Sequence, residues 1–361
     1  MKKIVVVPLV ALSAGFTAGY TEAQDINANF FSHMELTNSD AARASDREAA
    51  WGESALFLTG NLSDKLSFLA ESTFQAQEYR EDQLTLERIR LRYELNRDHA
   101  ISIGKMHTPV NYWNDSYHHG RFFYPTINRP LVFGRFIPVH EAGIRLSGQP
   151  TDITGFGYDV VLGTGQSEGD DLFARGVKSY TASLTWTPNA ELTTRMSYYR
   201  DEILDHLNNP FHSHGGHHGM DDMGHGHMDD DHEMHDAMGD GNADIPYEML
   251  SWSAYWDSGD WRALTELSAN RTDSGDWNQS AFQYLGRRLT DSLMAYLLLY
   301  YVNVGDDEIH FASGIDKRMG VGLEWFAREN ISVKSELRSR HAHTDGHRDD
   351  TEIQVQISFG F

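Results

Sequence analysis

Strict alternation of apolar and polar side chains, sustained through one segment after another, constrains this chain more than any other feature. Successive residues of a strand point to opposite faces, so a segment of this kind has one greasy side and one wet side. Between Leu84 and Leu95, Ile89, Leu91, Tyr93 and Leu95 share one face, and Arg88, Arg90, Arg92 and Glu94 share the other. At the end of the chain Ile353, Val355, Ile357, Phe359 and Phe361 oppose Glu352, Gln354 and Gln356. Sixteen such segments can be drawn: Ile26–Leu36, Ser54–Leu62, Leu66–Ala76, Leu84–Leu95, Ala100–Lys105, Ala142–Gly148, Phe156–Leu162, Tyr180–Trp186, Leu192–Arg200, Tyr247–Trp256, Trp261–Thr272, Gln279–Gly286, Leu293–Val302, Arg318–Ala327, Ile331–Arg340 and Thr351–Phe361.

The connections alternate as well. Tight turns fall at LSDK from Leu62, NRDH from Asn96, Gln149–Ile153, TPNA from Thr187, DSGD from Asp257, RRLTD from Arg287 and REN from Arg328. The connections between them are longer and more polar, and two are very long, Thr108–Glu141 and Asp201–Pro246. Short turns at one end and long loops at the other predict an all-β chain, a transmembrane antiparallel barrel of about 16 strands with a lipid face, an aqueous lumen, periplasmic turns and extracellular loops. A β-sandwich fits less well, since its strands are usually about 5–6 residues long. Trp252, Trp256, Trp261, Tyr300, Tyr301 and Trp325 cluster near strand ends and are expected in interfacial girdles.

Composition narrows the function. The 361 residues include no cysteine, which removes disulfides, thiolate metal sites and thiol nucleophiles together. The net charge is −23, and the stretch from Asp201 to Leu250 contributes thirteen acids and no Lys or Arg, so nucleic acid is excluded as a partner and a cation is the natural complement. Lys2 and Lys3, the apolar run Ile4–Phe16 and the small residues Thr21 and Ala23 predict a secretory signal over residues 1–23, leaving the barrel in 24–361.

With the ending ISFGF, a terminal aromatic on an alternating strand, the chain resembles the sixteen-stranded porins of Gram-negative outer membranes, over essentially the whole mature length. The segment IGKMHTPVNYWNDSYHHG followed by INRP is similar to uncharacterised porin-like outer-membrane proteins, and a PEFGG-type motif of the enterobacterial porins is absent from the sequence. The resemblance implies an outer-membrane location, contact with lipid and lipopolysaccharide, recognition by the barrel assembly machinery, a homotrimer and passive passage of small solutes or ions.

The connection 108–141 carries Tyr112, Trp113, Tyr117, Phe122, Phe123, Tyr124, Phe133 and Phe136 together with Pro125, Pro130 and Pro138, and so is expected to fold inward onto the barrel wall. In porins the third loop narrows the lumen. The charged and titratable candidates for the constriction are Asp115, His118, His119, Arg121, Arg129 and Arg135 on the loop, with Arg88, Arg90 and Arg92 across from it. Rings of fixed charge select ions. Pairing of these arginines with Glu53, Glu71 or Glu94 is the competing expectation, since confined charges are usually paired.

Residues 211–238 read FHSHGGHHGMDDMGHGHMDDDHEMHDAM, almost wholly His, Asp, Met and Gly. The stretch offers no aliphatic residue larger than Met and cannot form a core, but imidazole, thioether and carboxylate together suit a transition metal. The candidate ligands are His206, His212, His214, His217, His218, His225, His227, His232 and His235, joined by His341, His343 and His347 in the last long loop. Overlapping spacings favour several weak, exchanging zinc or copper sites over one tight site. A surface charge role alone, an adhesin-type barrel with a closed lumen and an outer-membrane hydrolase are the alternatives. For the last, no GxSxG or comparable nucleophile signature is present in the sequence.

Overall fold

The computed structural model describes residues 26–39, 48–75, 83–117, 122–130, 136–166, 177–203, 245–272, 275–306, 308–310, 313–344 and 349–361. The expected signal segment 1–23, the tract 204–244, His118, His119, Arg121, Arg135 and His347 lie outside these residues.

Sixteen strands form one closed antiparallel barrel, each paired with its sequence neighbours and the last with the first. They are β1 (Ile26–Ser39), β2 (Glu48–Ser63), β3 (Leu66–Gln75), β4 (Gln83–Glu94), β5 (His99–His107), β6 (His140–Gly148), β7 (Phe156–Gly163) and β8 (Ser179–Trp186), followed by β9 (Leu192–Ile203), β10 (Ile245–Asp257), β11 (Trp261–Arg271), β12 (Asn278–Thr290), β13 (Leu293–Val304), β14 (Gly314–Arg328), β15 (Ile331–Thr344) and β16 (Asp350–Gly360). One helix, α1 (Tyr112–Ser116), lies in the third connection. An even number of strands lets β1 and β16 run antiparallel, and Phe30 and Phe361 exchange two backbone hydrogen bonds, Phe30 N to Phe361 O at 3.0 Å and Phe361 N to Phe30 O at 2.9 Å. Closure leaves no exposed strand edge, which a hydrocarbon layer could not hydrate.

Alternation assigns the faces. Ile89, Leu91, Tyr93 and Leu95 are exposed on the outside, as are Ile353 and Ile357, while Gln354 and Gln356 are buried inside. Several strands are longer than the alternation alone predicts: β2 starts at Glu48 and β14 at Gly314. Register slips at bulges hide continuity from a strict period-two reading. In β4, Glu71 of β3 faces Arg88 and Ser72 faces Leu86, which leaves Glu87 as the extra residue. The outward set accordingly changes from Leu84 and Leu86 to Ile89 and Leu91. Near Arg287 the tight turn is shorter than RRLTD, because β12 continues through Thr290 past a second bulge.

The aromatics divide between the two faces. Trp252, Trp256, Trp261 and Trp325 are exposed, but Tyr300 is buried on the inner face and does not belong to an outer girdle. The inward face of β13 is apolar throughout, with Met294, Tyr296, Leu298, Tyr300, Val302 and Val304. This departs from a wet inner wall because the third connection covers it.

Candidate pore lining

The third connection leaves the barrel after His107 and returns at His140, a pair directly opposite one another on the last rung of β5 and β6. Its neck is closed by Thr108 N donating to Val139 O at 3.3 Å and by Asn114 Nδ2, which donates to Thr108 O at 2.8 Å and to Val139 O at 3.3 Å. Asn111 has φ 64°, an uncommon conformation outside glycine, and it turns the chain inward. The conformation is held from the far wall, where Glu266 Oε2 and Ser268 Oγ both accept from Asn111 Nδ2 at 3.4 Å.

α1 then docks on β10 and β11. Tyr112 N donates to Ser253 Oγ at 3.0 Å, and Trp113 N donates to Glu266 Oε1 at 2.7 Å. These bonds satisfy amides that a short helix cannot pair internally. Tyr112 stacks on Tyr255 with ring centroids 4.7 Å apart, and Trp113 meets Phe282 edge-on at 5.7 Å. Trp113, Tyr124, Phe136 and Ile137 join the inner-wall residues Tyr247, Leu264, Phe282, Tyr296 and Leu298 in one buried cluster. The inner apolar wall and the aromatic loop are thus two halves of one core.

A second leg continues across the barrel. Ile127 N donates to Glu336 Oε1 at 2.6 Å, Asn128 Nδ2 to Gln354 Oε1 at 3.1 Å, and Gln356 Nε2 to Ile127 O at 3.3 Å. Phe123 reaches Phe31 of β1, 5.1 Å between rings. The connection therefore touches β1, β10, β11, β15 and β16 while its ends stay on β5 and β6. Gln166 ties it to two neighbouring connections, donating through Nε2 to Phe136 O at 2.8 Å and facing His310 Nε2 through Oε1 at 2.6 Å.

The charged side of the lumen is built on β4, β6 and β9. Asp115 lies between Arg195 Nη2 at 2.7 Å and Arg145 Nη1 at 3.5 Å, and Arg145 also binds Asp159 at 2.8 Å. Burial opposes ionisation of Asp115, but the two guanidinium groups outweigh it and hold the carboxyl well below the usual carboxylate range. Burial and the neighbouring Tyr255 push the hydroxyls of Tyr112 and Tyr117 above the usual phenol value, so both stay neutral.

Of the arginines expected on the facing wall, Arg88 pairs with Glu71 at 2.5 Å and Arg92 with Glu94 at 2.8 Å. Among the described residues Arg90 has no carboxylate at ion-pair distance, and its electrostatic neighbours are Arg145, Arg88, Arg92 and Asp115. Arg129 lies half-buried on the second leg of the loop. His118, His119, Arg121 and Arg135 fall outside the described residues, as do the nine histidines from His206 to His235. His341 is exposed, with Nδ1 3.3 Å from Asp349 Oδ2; the side chain of His343 and all of His347 are outside the description. Arg145, Arg195, Glu266 and Glu336 were not foreseen. Strand parity places them inside, but their loop partners lie 30 to more than 200 residues away in sequence.

No family model matches the sequence, and no curated protein matches it. Solved structures do match. OmpT of Vibrio cholerae, an outer membrane protein in a trimer form, aligns with TM-score 0.60 and 11% identity over 94% of this chain and 100% of its own. An anion-selective porin from Comamonas acidovorans aligns with TM-score 0.62 and 10% identity over 94% and 100%. OprB of Pseudomonas putida aligns with TM-score 0.61 and 11% identity over 94% of both chains. The chain has the fold of the sixteen-stranded outer-membrane porins.

Proposed function

We propose that this barrel is an outer-membrane porin through which small solutes or ions diffuse passively, and that the third connection forms its constriction. The observation that carries the reading is the loop itself, anchored to β11 by Glu266 and to β15 by Glu336, with its Asp115 set among Arg90, Arg145 and Arg195. A narrow passage with fixed charges on one side discriminates among ions. Assembly as a trimer belongs to the same proposal. Planar-bilayer recording of the purified barrel tests it: discrete conductance steps are expected, and an inserted barrel without ion current would favour a closed, surface-binding barrel, an arrangement that the apolar cluster filling part of the lumen makes the second reading.

The finer part of the proposal assigns the histidines of 206–235, with His341, His343 and His347, to weak capture of divalent metal, zinc or copper, at the long-connection end. Its support is composition and the acidic, cation-free surroundings of the tract. Capture would fall below about pH 6 as the imidazoles protonate. Calorimetric titration with Zn(II), Cu(II) and Cu(I), with and without Phe211–Met238, is the test, and binding of all three unchanged by the deletion would end this part of the reading.

A further inference from the structure

A second concentration of metal-binding side chains lies in the barrel wall, on residues that do not belong to the histidine tract. Glu71 of β3, His107 of β5 and His140 of β6 each bring one ligand atom to within 4.8 Å of the others. Two features of the chain assemble them. The ladder of β5 and β6 places His107 directly opposite His140, with ring centroids 5.2 Å apart. The bulge in β4 turns both Glu87 and Arg88 toward this point, where a regular strand would send one of them outward. Glu71 is 1% exposed and His107 7% exposed, so the cluster is sheltered from bulk water.

The surrounding contacts have the form of an outer ligand shell. His140 Nδ1 lies 3.2 Å from Glu87 Oε2, and the other oxygen of that carboxylate, Oε1, accepts from Thr73 Oγ1 at 2.9 Å. A carboxylate on one ring nitrogen fixes the imidazole's orientation and leaves Nε2 as the electron-pair donor, the arrangement that supports metal-bound histidines. A cation already sits against the group: Arg88 Nε is 2.5 Å from Glu71 Oε2, Arg88 Nη1 is 3.4 Å from His107 Nδ1, and the guanidinium rests over the Phe57 ring at 4.6 Å. The site is therefore built for positive charge, and a metal would compete with Arg88 for Glu71 and His107.

We propose that Glu71, His107 and His140 form a binding site for one divalent transition metal, of which zinc is the probe of choice, with Glu87 as a positioning residue and Arg88 as the resident cation that the metal displaces. Two imidazoles and one carboxylate suit Zn(II) and Cu(II) and leave a fourth coordination position for a water molecule. Tetrahedral bonds of about 2.0–2.1 Å require ligand atoms roughly 3.3 Å apart, within reach of side-chain rotation from the present separation. Because His107 and His140 flank the third connection, bound metal would tie both ends of that loop to β3.

The test uses full-length barrel purified in detergent and Zn(II). Anomalous diffraction at the zinc edge is expected to show a peak bonded to the three side chains, and Glu87→Gln to weaken zinc at that position by about 10- to 100-fold. The double variant His107→Gln, His140→Gln should bind one zinc fewer than the parent. Absence of zinc density among the three side chains, or an unchanged zinc count in a folded double variant, would overturn the proposal. Should that variant not fold, Arg88→Gln keeps all three ligands and decides the matter: tighter zinc at the wall is expected, and unchanged or weaker binding there overturns the site. Replacing the nine histidines of 206–235 should leave this site intact, so the outcome is separable from that of the loop reading.

Discussion

Asp115 Oδ2 accepts a hydrogen bond from Arg195 Nη2 at 2.7 Å, fastening α1 of the third connection to β9 across eighty residues of sequence. Arg195 Nη1 also donates to Asn111 O at 3.3 Å, so one guanidinium holds both the turn into the lumen and the helix after it. Asp115→Asn removes the charge between Arg145 and Arg195, and docking of the loop should weaken by about 1–3 kcal/mol, less than the 3–5 kcal/mol of a fully buried pair because lumenal water screens the group. Faster hydrogen exchange of residues 108–117, with the barrel strands unaffected, is the expected readout.

The same carboxyl fixes an acid limit. Its folded value is depressed below the unfolded one, so its contribution is complete above about pH 4 and is lost only as pH falls toward the depressed value. The protection of the loop amides, taken relative to their intrinsic exchange rate at each pH, should therefore stay flat from neutrality to about pH 4 and fall below it. Asp115→Asn should lack this acid-dependent component, and an identical acid loss of protection in the variant would count against the ion pair as its cause.

Glu266 is fully buried and accepts from both Asn111 Nδ2 and Trp113 N. Glu266→Leu leaves Trp113 N without its acceptor and Asn111 Nδ2 with Ser268 Oγ alone, and should cost about 1–3 kcal/mol in loop docking for the orphaned amide. Trp113→Ala should cost about 3–5 kcal/mol through the lost burial. Single-channel noise and open-state conductance should both rise in each variant while hydrogen exchange of the barrel strands stays unchanged.

Arg90, which has no carboxylate at ion-pair distance among the described residues, is expected to dominate the lumenal field near Asp115. Arg90→Glu should move the reversal potential in a salt gradient toward cations. Arg92→Glu changes the charge equally but should move it less, because Arg92 lies two residues farther along β4 from the third connection, toward the Asn96 turn. Equal shifts would show that distance from the loop does not govern the selectivity.

Leu297 lies near the middle of β13, outward and 53% exposed, next to the buried, inward Leu298. Leu297→Arg should cost about 2–4 kcal/mol of barrel stability in a bilayer. Denaturant unfolding from vesicles measures it, and a cost near zero would place this position outside the hydrocarbon layer.

The alternation of side chains determined the strand number, the direction of each face and which connections are long, because every residue of a strand reports its own environment in its polarity. The opposed sets in β4 and β16 show this directly. Even the bulge at Glu87 is written there, as the change from even-numbered Leu84 and Leu86 to odd-numbered Ile89 and Leu91 on the outside. Pairing was another matter. Whether Arg88 would meet Glu71, whether Asp115 would find Arg195, and that His107 and His140 would close on Glu71 depend on register between strands and on where a loop lands. Those are relations between distant segments, fixed only when the barrel closes and the loop buries its aromatics against β10–β13. The same closure explains why the inner face of β13 is apolar: its environment is the third connection rather than water, and only the tertiary structure supplies that neighbour.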